Sequence, residues 1–146
     1  MNQFIVSKRF FTIAFLCVVL NVIHGFEVSV TGFYKTNPDF YPYTRLFSSI
    51  PEAVYYVQHG VGYVFLILML FFVKGGKWAL VPLWLFALLL VSETHHFFRM
   101  LFAGSYQSGA ITSAMFIVAS IFYIKELVCV MKTRKYCDGN SRLCVW

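Results

Sequence analysis

Four apolar segments dominate this chain, and their lengths restrict what it can become. They run from about Phe10 to Phe26, Ala53 to Val73, Trp78 to Leu101 and Ser108 to Met131. A helix rises 1.5 Å per residue, so a hydrocarbon layer of ~30 Å takes ~20 apolar residues to cross. The last three segments meet that length comfortably, and the first is marginal. Of the 146 residues, 60% are hydrophobic and 12% charged, where a soluble domain carries roughly a quarter charged. The expected fold class is all-α: an integral membrane four-helix bundle. One four-span transmembrane domain over residues 1–131 and a short polar tail over 132–146 account for the whole length.

The net charge of +6 does not indicate nucleic-acid binding. Lys8, Arg9, Lys74, Lys77, Lys125, Lys132, Arg134, Lys135 and Arg142 fall on one side of the predicted spans, and only Lys35, Arg45 and Arg99 on the other. That is the positive-inside pattern of a cell (inner) membrane protein with both termini cytoplasmic. The first segment also fits a secretory signal peptide, with a basic start and small Gly25. Cleavage there would leave three spans. Ile23 at the −3 position fits that alternative poorly, since the position calls for a small residue. Retention as a helix is the reading taken forward.

Residues 28–50 form the one long loop, rich in aromatics such as Phe33, Tyr34, Phe40 and Tyr41. Such residues favour the membrane–water interface, where the loop acts as an anchor or as a lid. Ser49-Ile50-Pro51-Glu52 reads as a helix start with a capping box. Gly109 with Ser113, and Ala110 with Ala114, give the fourth segment a small-residue face suited to close helix packing. Cys17 and Cys129 read as packed within spans.

Ionisable residues in hydrocarbon are costly and mark function by default. With Phe10, Pro51 and Trp78 as entry points, His24 lies ~21 Å, His59 ~18 Å, Glu93 ~22 Å and His96 ~27 Å from the inner face. They form one layer in the outer half. His24 and Glu27 are three apart and share a helix face, as do Glu93 and His96. Two Glu/His pairs on separate helices resemble the ligand arrangement of di-metal bundles. His24, Glu27, Glu93 and His96 are therefore expected to ligate a divalent metal. Nitrogen and carboxylate donors suit zinc or iron. His59 is expected to serve as a further ligand or a general base. His95 points away from Glu93 and reads as a partner for a backbone carbonyl. Paired histidines also suit haem, but the neighbouring carboxylates favour a metal–oxygen site.

The same residues carry a family resemblance. His24-x-x-Glu27 ends the first span, Glu93-Thr94-His95-His96 the third, and Tyr106-Gln107-Ser108-Gly109-Ala110-Ile111-Thr112 opens the fourth. This pattern resembles the HXXEE family of small four-span bacterial membrane proteins, over most of residues 20 to 130. Val28 stands where the naming motif has its second Glu, and Ser108 where a Pro is expected. The resemblance implies a metal-dependent membrane enzyme. The leading expectation is a hydrolase or oxidoreductase in the lipid bilayer. The alternatives are a transporter or channel subunit, working as a homo-oligomer, and a non-catalytic subunit of a membrane complex.

Overall fold

The computed structural model describes residues 7–36, 46–72 and 78–137. Its helices in chain order are α1 (Lys8–Val30), α2 (Phe33–Thr36), α3 (Pro51–Phe72), α4 (Leu80–Ser92), α5 (His95–Ala103) and α6 (Ala110–Cys137). No strand occurs among the described residues. Four stretches are long and apolar enough to cross a membrane: Lys8–Val30, Glu52–Phe72, Leu80–Ala103 and Ala110–Lys132. The third is two helices in succession, α4 and α5, separated by a turn at Glu93 and Thr94. α6 continues past Met131, so the polar tail begins as helix, up to Cys137.

Local chemistry sets most of the helix ends. Ser7 caps α1 by accepting from the Phe10 N–H at 3.1 Å, as an N-cap hydroxyl should. Pro51 opens α3 as expected. The turn before it uses Ser48, not Ser49: the Ser48 hydroxyl accepts from the Ile50 N–H at 3.1 Å. Glu52 closes no capping box and instead receives the Tyr34 hydroxyl at 3.1 Å.

The four long stretches pack in a ring. α1 contacts α3 and α6, α6 contacts α4 and α5, and α3 contacts α4. α1 therefore stands diagonally across from the α4–α5 pair. Between them lies an apolar core that includes Phe10, Leu83, Phe86, Phe116, Tyr123 and Leu127. Tyr123 lies 5.2 Å from both the Phe10 and Phe86 rings. Its hydroxyl donates to the Leu83 carbonyl at 3.1 Å. Without that acceptor the buried hydroxyl would cost about 1–3 kcal/mol. Glu126 binds Arg9 of α1 at 2.9 Å. Arg9 is largely exposed, so this pair contributes at most about 1 kcal/mol. Cys17 is buried as expected, whereas Cys129 lies on the outside.

The small-residue face of α6 is used within the chain. Ala110 and Ser113 are buried, and Gly109 lets α1 come close. A Cβ at Gly109 would lie 2.7 Å from His24 Cε1 and 2.9 Å from Val28 Cγ2, and its φ is +81°. Only glycine meets both demands. Gly60 is the control, a helical glycine with nothing within 4 Å of its Cβ position. Gly109→Ala should destabilise the chain by about 1–3 kcal/mol. Gly60→Ala should be neutral or stabilising by up to about 1 kcal/mol. Thermal unfolding of both variants in one detergent checks the contrast.

Candidate metal centre

The site begins with a missing helix bond. In an unbroken helix the Phe97 N–H would donate to the Glu93 carbonyl. Here the Ser113 hydroxyl of α6 stands between them. It accepts from the Phe97 N–H at 3.0 Å and donates to the Glu93 carbonyl at 2.6 Å. The backbone tightens around it, with Thr94 N–H on the Val91 carbonyl and Phe97 N–H on the Thr94 carbonyl, both at 3.1 Å. Insertion of a side chain into the i→i−4 ladder is a recognised cause of a helix break. His95, exposed, donates from Nδ1 to the Ser92 carbonyl at 2.8 Å. That is the backbone role expected of it.

The break turns Glu93 and His96 toward α1, where they meet His24. Glu93 Oε2 lies 3.1 Å from His24 Nε2 and 3.8 Å from His96 Nε2. One ligand atom from each of the three residues lies within 4.8 Å of the others. Two ligands at ~2.0–2.2 Å from one tetrahedral ion stand ~3.3–3.6 Å apart. The observed separations bracket that range. Both histidine side chains are 6% exposed and Glu93 is 24% exposed. Phe116 meets the His24 ring edge-on at 5.3 Å. Phe33 of α2 meets the His96 ring edge-on at 5.0 Å. The start of the aromatic loop thus covers the cluster, while residues 37–45 lie outside the described ones.

Glu27 lies elsewhere. Expected as a ligand, it instead holds the first turn of α6. Its Oε1 accepts from the Ile111 N–H at 3.2 Å and the Tyr106 hydroxyl at 2.7 Å. Its Oε2 accepts from the Thr112 N–H at 3.0 Å and the Thr112 hydroxyl at 2.6 Å. Three residues along a helix turn a side chain by ~60° and raise it ~4.5 Å. That offset carries Glu27 from the His24 side of α1 to the open N–H groups of α6. These orphan donors and the helix dipole both favour a carboxylate. Desolvation, with the bond to Glu27, pushes the Tyr106 hydroxyl up to about 12, so it donates throughout the neutral range. Glu27 nonetheless touches the cluster through one atom, since Thr112 Oγ1 lies 2.6 Å from His24 Nδ1.

His59 stands beside the three converging residues. Its Nδ1 donates to the Tyr55 carbonyl at 3.0 Å, its ring lies 3.9 Å from that of Tyr55, and it is within electrostatic range of Glu93 and His24. Gly25 makes room for the neighbouring Tyr63. A Cβ there would strike the Tyr63 hydroxyl and come within 3.5 Å of His59 Cδ2.

Thr112 and Ser113 are the residues sequence reasoning passed over as functional. Their signal was slight: two adjacent hydroxyls just after the glycine that opens an apolar helix. Comparison with protein families, curated proteins and solved structures finds no match to this chain.

Ser113→Ala removes both bonds that bridge the break. A loss of about 1–3 kcal/mol is expected, read as a lower thermal midpoint of the purified protein in detergent. An unchanged midpoint would show that the break is set by something other than this hydroxyl.

Proposed function

We propose that this chain is a four-span membrane protein that binds one divalent metal ion, zinc or iron, through His24, Glu93 and His96. Its termini face the cytoplasm, its first segment is retained, and the site lies in the outer half of the bilayer. The outward surface of the helices supports insertion: Phe15, Leu16, Ile67, Leu88, Val118 and Ile121 are all exposed, a surface too apolar for water.

One observation carries the metal reading. His24 Nδ1 is engaged by Thr112, and its other nitrogen faces a carboxylate oxygen at 3.1 Å. Two lone pairs at that distance require a cation between them, either a shared proton or a metal. A third donor, His96 Nε2, faces the same oxygen at 3.8 Å, and one metal ion would engage all three donor atoms at once where a proton joins only two. Two imidazoles and one carboxylate form a donor set used by catalytic zinc and by non-haem iron, with a position left for water or substrate. A bound ion would supply Lewis acidity to a hydrolase, or a redox centre to an oxidoreductase. The chain's part is to hold the donors, exclude water with Phe33 and Phe116, and set His59 alongside as general base. The HXXEE resemblance agrees with this reading.

A proton or cation pathway is the second reading. The hydrogen-bonded line from exposed Tyr106 through Glu27, Thr112 and His24 to Glu93 favours it. Below His24, however, the interior is Phe116 and the apolar core, so the line ends at the cluster. The accessory-subunit reading loses part of its support, because Gly109 is spent on α1 and Ser113 on the α4–α5 break.

The test is metal content. Wild-type protein extracted from membranes and loaded with zinc or ferrous ion should retain about one ion per chain. His24→Ala, Glu93→Ala and His96→Ala should each lose it, and His95→Ala should keep it. A wild-type protein that retains neither ion overturns the proposal.

A further inference from the structure

Thr112 has a single hydroxyl proton and two strong claimants for it. Its Oγ1 lies 2.6 Å from Glu27 Oε2 and 2.6 Å from His24 Nδ1. The Gly109 carbonyl is a weaker third contact at 3.3 Å. Glu27 decides the direction. Two backbone N–H groups, the Tyr106 hydroxyl and the start of α6 all point donors at its oxygens. A protonated carboxyl would set its own hydrogen against those donors at the positive end of a helix. Glu27 is thus the acceptor and Thr112 donates to it. The remaining lone pairs of Thr112 can only accept, so His24 Nδ1 must carry a proton.

We infer that Thr112 is a positioning residue, whose hydroxyl, committed to Glu27, fixes His24 with its proton on Nδ1 and so presents Nε2 as the metal-facing nitrogen. The functional meaning rests on the metal reading of the site, whereas the proton position does not. Metal-bound histidines characteristically donate their second nitrogen to a carboxylate or carbonyl. Here a hydroxyl is interposed, and one carboxylate both caps α6 and orients the imidazole. The ring has little freedom to escape this arrangement. Gly109 closes on Cε1 from one side, and Phe116 meets the ring edge-on. His96 has no comparable anchor: among the described residues its Nδ1 has no hydrogen-bond partner. His24 is the ligand the fold holds in place.

The test uses the full chain purified in detergent, with Zn²⁺ as the probe and Co²⁺ absorption as the report on ligand geometry. Thr112→Val keeps the shape and removes the hydroxyl. It should weaken Zn²⁺ binding by roughly 10–100-fold and alter the Co²⁺ spectrum. Thr112→Ser should restore both, which a merely space-filling role would not require. Nitrogen NMR of histidine-labelled, metal-free wild type should show His24 Nδ1 protonated. Thr112→Val with wild-type affinity and spectrum overturns the inference, as does a wild-type His24 with no proton on Nδ1. If Thr112→Val does not fold, the wild-type spectrum still decides. If wild type binds neither Zn²⁺ nor Co²⁺, the metal reading fails, and the NMR result judges Thr112 separately.

Discussion

The first N–H groups of a helix have no partner within the helix itself. α6 has this problem at Ile111 and Thr112, and Glu27 of α1 answers it. The carboxylate can stay charged there because four donors and the helix dipole surround it. Much of the polar layer follows from that contact. It brings α1 and α6 together where Gly109 admits the His24 ring. It places Thr112 against His24, and it puts the next residue, Ser113, at the broken ladder of the third span. Neutralising Glu27 would disturb all of these together.

The apolar architecture was legible in the sequence because it rests on length and composition. Three runs of sufficient length and one marginal run gave four stretches long enough to cross a membrane. The break at Glu93–Thr94 was not legible. No proline or glycine stands there, and its cause is a hydroxyl 20 residues away on another helix. His24, Glu93 and His96 were legible because burying such groups is expensive wherever they fall. Glu27 misled for a physical reason: helical phase reports which face a residue shares, not which neighbour lies opposite. The same phase that joins Glu27 to His24 on paper sends its carboxylate to α6 in space. Ser113 was read chiefly for its small size, though it also supplies a hydrogen bond in each direction.

The cluster also shows how a weakly polar bundle can hold charge without a large polar interior. Phe116 lies below it, Phe33 covers it, and no fully enclosed side-chain polar atom among the described residues lacks a partner. Those atoms are matched locally, and the core beneath is apolar. The low polarity of the surroundings strengthens every contact made there and raises the cost of each one omitted.

The diagonal placing of α1 and the α4–α5 pair bears on biosynthesis. His24 and Thr112 are 88 residues apart in the chain, and Glu27 and Ile111 are 84 apart. His24 emerges from the ribosome well before its partners on the third and fourth spans exist. Until the last span arrives, His24 and Glu27 have no partner from α6, and the Glu93 carbonyl has no serine. Contacts this distant in sequence form late. The polar layer is therefore a property of the finished bundle, and a chain truncated before α6 would lack it even with every histidine already made.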